Sequence, residues 1–183
     1  MTTIPILDEV RDIINGCSSV RPRERTKLTG ALAIEVIRGR LLQAEIPIST
    51  RDAFVRGNAT EFDILVVRPS ARPLCGIVYD PLDVAAVLEI KYSGIYSQEV
   101  PRSLQRSFSK IKAAHPHIEC VYLTICENPT FKARIITATF GFPAFTLYWW
   151  KNRARTIVEP GDSFHSVVAC LQNALQQLPK APA

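Results

Sequence analysis

The sequence predicts a mixed α/β domain, with a central mixed sheet flanked by helices, on three observations. Apolar residues recur at helical spacing near both ends of the chain and again in its middle. The runs FDILVV at 62–67, VAAVLEIK at 84–91 and CVYLTIC at 120–126 are nearly continuous apolar stretches, of the kind strands show when both faces are covered. Two of these runs precede the middle helix, so the sheet is mixed and not a strict repeat of βαβ units.

Each element follows from its own residues. Ile6, Leu7, Val10, Ile13 and Ile14 keep helical spacing up to Gly16 and predict a first short helix. Ser18 to Lys27 is polar and arginine-rich and reads as a loop or a helix entry. A longer helix is expected from Thr26 to Ala44, with Leu28, Leu32, Leu41 and Leu42 among its apolar residues. Pro47, Gly57 and Asn58 suggest turns between 45 and 60, with room for one edge strand. The strand FDILVV follows, and then VAAVLEIK, which ends at a Ser93–Gly94 turn. A helix over 98–114 tolerates Pro101 only in its first turn and carries Leu104, Phe108 and Ile111 on one stripe. After CVYLTIC come two further strand candidates, ARIITATF and FTLYWW. A last helix over 163–178 aligns Phe164, Val167, Val168, Leu171, Leu175 and Leu178, with Asp162 or Ser163 as its cap.

A length of 183 residues fits one domain over 1–183, with no repeat, low-complexity tract or linker to divide it. At 47% hydrophobic and 21% charged, the chain fills a core and is not disordered. The net charge of +5 permits a polyanionic partner without requiring one. The opening MTTIPILDEVRDIING carries acids where a secretory signal needs lysine or arginine, and no run approaches the roughly 18 apolar residues of a membrane span. The five scattered cysteines never form C-x-x-C. Together these features predict a cytoplasmic protein with reduced thiols and no membrane partner.

Alternation along a strand places Glu89 and Lys91 on one face of VAAVLEIK, and Asp63 on the face of EFDILVV that also holds Glu61, Leu65 and Val67. If the two strands pair, an acid from each meets one ammonium group at one end of the sheet. Adjacent carboxylates repel, and a hard divalent cation relieves the repulsion. An amine beside that cation orients water or steadies developing negative charge. Glu61 competes with Asp63 for the ligand position, and a solvated Glu89–Lys91 pair at a strand end is the plain structural alternative.

Asp63 on one strand, a loop with Pro69, Pro73 and Pro81, and Leu88-Glu89-Ile90-Lys91 on the next strand resemble the PD-(D/E)xK, or restriction-endonuclease-like, nuclease superfamily. The pattern covers about 26–126, and Phe62 stands where the named motif has proline. The resemblance implies a core of a helix, three antiparallel-leaning strands, a helix and a further strand. It implies Mg²⁺, with Mn²⁺ as a substitute, held by Asp63, Glu89 and the backbone carbonyl of Ile90. It makes Lys91 the residue that positions the attacking water, and Glu35 on the preceding helix a further catalytic and metal-binding candidate. Glu35 shares a helix face with Leu28, Ala31, Leu32, Gly39 and Leu42, so it needs a partner there, and Arg38 supplies an ordinary ion pair as the alternative.

Arg102, Arg106 and Lys110 repeat every four residues along the helix after the motif and are the leading nucleic-acid contacts. Ser97, Ser103 and Ser107 offer neutral phosphate contacts. Arg21, Arg23, Arg25 and Lys27, and Lys151, Arg153 and Arg155, are further basic clusters, each more simply a solvated face. His115 and His117 read as loop residues, and Trp149 and Trp150 as core. The expected activity is metal-dependent endonucleolytic cleavage, of DNA ahead of RNA, by a chain that pairs as a homodimer or joins a larger assembly. The alternatives are an inactive nucleic-acid-binding module of the same fold and a protein adaptor.

Overall fold

The computed structural model describes residues 6–16, 22–93, 99–127, 139, 141–151 and 158–180. In chain order these form α1 (Ile6–Gly16), α2 (Pro22–Gln43), β1 (Ala53–Val55), β2 (Glu61–Phe62), β3 (Ile64–Val67) and β4 (Val78–Tyr79). A turn of 3-10 helix at Pro81–Asp83 leads into β5 (Val84–Ser93), followed by α3 (Glu99–Ala114), β6 (Glu119–Glu127), β7 (Ala144–Trp150), β8 (Val158–Pro160) and α4 (Phe164–Gln176).

The central sheet has the order β3-β5-β6-β7-β8, and a small sheet has the order β2-β1-β4. In the central sheet β3 runs antiparallel to β5, β5, β6 and β7 run parallel, and β8 turns back on β7. Parallel pairing of β5 with β6 requires a crossover, and α3 is that crossover. This is the expected α+β restriction-endonuclease-like core, a mixed sheet with helices on both faces.

Alternation sorts the strand residues between two apolar layers. Val66, Leu88, Ile90 and Leu123 face Leu7, Val10, Ile37 and Leu41 of α1 and α2, and Val167 and Leu171 of α4. Leu65, Val87 and Tyr122 face Leu104, Phe108 and Ile111 of α3, together with Val55, Phe62 and Tyr79 of the small sheet. Both faces are covered, which is why β3 and β5 read as apolar runs and not as alternating ones. The cap of α4 is Ser163, whose hydroxyl accepts from the Ser166 amide at 3.2 Å.

Three expectations are adjusted. Helix α2 starts at Pro22 and not at Thr26, so the arginine-rich stretch is in part a helix entry, and proline suits the first helical position, where its missing N–H costs nothing. The run FDILVV divides at Asp63 into β2 and β3. The antiparallel lean is confined, within the central sheet, to its outer pairs β3–β5 and β7–β8. The strand expected at ARIITATF lies outside the described residues apart from Thr139.

Candidate active site

The register of β3 on β5 places Ile64 opposite Leu88 and Val66 opposite Ala86. Continued by two residues, it would set Phe62 opposite Ile90. Phe62 instead pairs with Ala53 of β1, so the chain forks away from the central sheet at Asp63. The Asp63 carboxylate fills the gap, its Oδ2 accepting the Ile90 N–H at 2.6 Å. In extended backbone the N–H and C=O of one residue face the same edge, so the Ile90 carbonyl lies along this edge too.

Lys91 brings the acids together. Its Nζ lies 2.5 Å from Glu89 Oε1 and 3.7 Å from Asp63 Oδ2. The Asp63 side chain is 17% exposed and that of Glu89 24%, so neither charge is freely solvated. Burial raises the Asp63 pKa above the usual aspartate range, against the Lys91 charge and the Ile90 N–H, which pull it down. Glu89 is raised as well, first by burial and then by the Asp63 charge, with Lys91 opposing. Burial pulls Lys91 down, but the two carboxylates outweigh it and hold the amine above its ordinary value. At neutral pH Lys91 is therefore a cation and not a base. Glu61 is exposed at the start of β2 and adds repulsion at Glu89.

Beside this triad a cleft of about 180 Å³ runs between the fork and α3. Its walls include Glu89, Lys91, Thr60 and Glu61 on one side and Ser103 and Ser107 of α3 on the other. Arg102, Arg106 and Lys110 are exposed on the adjoining row of α3. They are exposed cations that do not line the pocket.

Glu35 is not joined to the triad. Its side chain is 46% exposed and bonds Arg38, whose Nη1 donates to Oε2 at 3.0 Å, while Arg51 Nη1 lies 3.7 Å from Oε1. The apolar face expected around it is corrected, since Leu42 is exposed and Leu28, Leu32 and Gly39 are half-buried. The buried face of α2 is the one carrying Ala33, Ile34, Ile37 and Leu41, which meets the sheet.

Arg51 escaped the sequence reading. It precedes Asp52, a non-glycine residue at φ 55°, whose amide donates to the Asp63 carbonyl at 3.3 Å. The charges of both Asp52 and Arg51 act on the Asp63 carboxyl. The stretch before them is pinned to β3 by Ser49, whose amide donates to the Leu65 carbonyl at 2.8 Å and whose hydroxyl accepts the Leu65 amide at 3.0 Å. Nothing in the local sequence marks this contact, which depends on how the turn over 45–60 returns to β3. His117 bonds the Pro81 carbonyl at 2.9 Å, and Trp149 and Trp150 are buried, as loop and core residues would be. The side chains of Arg21, Arg23, Arg25, Ser97, Arg153 and Arg155 lie outside the described residues.

Among the described residues no three His, Cys, Asp or Glu side chains converge as metal ligands. A cation held here would rest on two carboxylates and backbone oxygen. Two half-buried acids, both raised by burial and Glu89 further by the Asp63 charge, suit that role. Among the described residues no helix is long and apolar enough to cross a membrane.

No family model and no curated protein sequence matches the chain. Its architecture is similar to that of P. aeruginosa ATCC27853 NucC in the cAAA-bound form, at 13% identity and a TM-score of 0.60, covering 94% of each chain. It is also similar to E. coli MS115-1 NucC in the cAAA-bound form, at 15% identity and a TM-score of 0.56, covering 94% of this chain and 86% of that one. At these identities the likeness is one of fold, and the chain shares the fold of the NucC structures over 94% of its length.

Proposed function

We propose that the protein is a metal-dependent nuclease that hydrolyses phosphodiester bonds of DNA at the Asp63–Glu89–Lys91 site. The observation that carries this reading is the fork at Asp63. It sets two poorly solvated carboxylates and a protonated lysine beside an open cleft with hydroxyls, with exposed cations along α3. The NucC likeness supports it at the level of fold.

Asp63, Glu89 and the Ile90 carbonyl would hold Mg²⁺, or Mn²⁺ in its place. When bound, the cation supplies Lewis-acid polarisation of the phosphate and a more acidic water. Lys91, freed from part of its carboxylate pairing, keeps its proton, orients the attacking water and steadies charge on the phosphate oxygens. Ser103 and Ser107 donate to phosphate from the facing wall. Arg102, Arg106 and Lys110 attract the neighbouring backbone without reading bases. Each chain has one such site, so a homodimer or larger assembly would cut both strands.

The test is cleavage of supercoiled plasmid, linear duplex, single strand and RNA with Mg²⁺, Mn²⁺ or EDTA. Cleavage should require metal, disappear in Glu89→Ala and fall about 100-fold or more in Lys91→Ala. A well-folded protein that binds DNA equally with and without Glu89 and never cuts would instead be the inactive binding module. One that neither binds nor cuts would leave the adaptor reading.

A further inference from the structure

The nuclease mechanism makes no use of Arg38 and Arg51, yet both guanidinium groups converge on the half-exposed carboxylate of Glu35, and the Arg51 charge also acts on the Asp63 carboxyl. Arg38 donates to Glu35 at 3.0 and 3.3 Å, and Arg51 approaches the other side of the same carboxylate at 3.7 Å. With Glu35 and Asp52 as its two anions the cluster is balanced, and it turns positive once the Glu35 carboxylate swings away. The Nε of Arg38 is buried with no hydrogen-bond partner, a donor the fold leaves unspent. Arg51 also donates to its neighbour Asp52 at 3.3 Å, and that residue is fixed by its amide bond to the Asp63 carbonyl. Arg51 therefore sits on backbone anchored to Asp63, and Arg38 is held within α2.

A carboxylate shared by two guanidinium groups has the charge and planar acceptor geometry of a tetrahedral oxyanion seen edge-on. From this we infer that Arg38 and Arg51 form a clamp for a backbone phosphate of the substrate strand, next to the one hydrolysed, and that Glu35 holds its place in the free protein. Substrate phosphate displaces the carboxylate and takes up the donors it releases. The inference rests on the nuclease reading above. It gives the strand a second fixed point besides the α3 cations.

The clamp and a merely structural ion pair differ in the sign of one effect. Binding of a fluorescent DNA duplex is measured by anisotropy in EDTA over a series of salt concentrations. Wild type, Arg51→Ala, Arg51→Lys and Glu35→Gln are compared, each checked for folding by thermal unfolding. Arg51→Ala should bind about tenfold more weakly, with the salt slope reduced by about one. Arg51→Lys should keep the slope and lose part of the affinity. Glu35→Gln should bind about threefold more tightly, because the guanidinium groups no longer have to leave a carboxylate. An unchanged slope in Arg51→Ala, or weaker or unchanged binding in Glu35→Gln, overturns the clamp. Cleavage by wild type in Mg²⁺ is run in parallel. A wild type that neither binds nor cuts removes the nuclease reading and the clamp together, whereas one that binds and cuts while the variants behave like it removes the clamp alone.

Discussion

Asp63 and Glu89 are carboxylates that the protein makes reluctant to ionise, and this has a pH signature. Their folded pKa values lie above the unfolded ones, so the folded state holds the extra proton, and these two groups cost stability as pH rises through that window. Lys91 acts the other way: its raised pKa adds stability that is fully present below the ordinary lysine value and is lost only as pH rises through the folded one. A divalent cation competes with the protons on the two acids. The increase in melting temperature on adding Mg²⁺ should therefore be small at pH 5 and larger at pH 8, and absent in Glu89→Gln. Thermal unfolding at the two pH values checks this without any reference to turnover. An Mg²⁺ effect independent of pH would place the ion elsewhere.

Between residue and molecule, backbone packing decides what each element tolerates. Gly39 lies within α2, and an added Cβ there meets no atom within 4 Å. Gly39→Ala should therefore stabilise the protein by about 0.8 kcal/mol, the helix-propensity gain. Gly161 is the contrary case. It links β8 to α4, and a Cβ there would approach the Thr146 carbonyl oxygen to 2.1 Å and the Trp149 ring nitrogen to 2.9 Å. Gly161→Ala should cost about 1–3 kcal/mol, as overpacking does. Chemical denaturation of the two variants gives both signs in one experiment. The elements themselves were largely legible in the sequence, because helical spacing in α1 and α4 and apolar runs in β5 and β6 are local signals. The pairing partners were not. That FDILVV divides at Asp63 depends on Phe62 finding Ala53 nine residues back, and the reach of Arg51 to Glu35 depends on the same tertiary turn. The pattern also misjudged the outward face of α2, since sequence spacing alone does not say which of two apolar stripes meets the sheet.

Taken as a molecule, the chain separates packing from charge. Apolar layers cover both faces of the sheet, while Arg102, Arg106 and Lys110 are exposed along α3, whose Ser103 and Ser107 line the cleft. Arg106 and Lys110 are exposed and remote from the buried core, so removing them should leave the melting temperature unchanged. Each alanine substitution should reduce the salt slope of DNA binding by about one. Titrations of the single and double variants test this, and a loss of affinity that does not vary with salt would count against phosphate contacts there.

The carboxylate of Asp63 also replaces a missing strand by accepting the Ile90 amide, and this makes position 63 unlike position 89. Asparagine there keeps an acceptor oxygen for that amide and removes only the charge, whereas alanine removes both. A chain drifting from cutting nucleic acid to holding it thus has a short road open to it: a single exchange of oxygen for nitrogen, with the fork, the cleft and the cationic surfaces left standing.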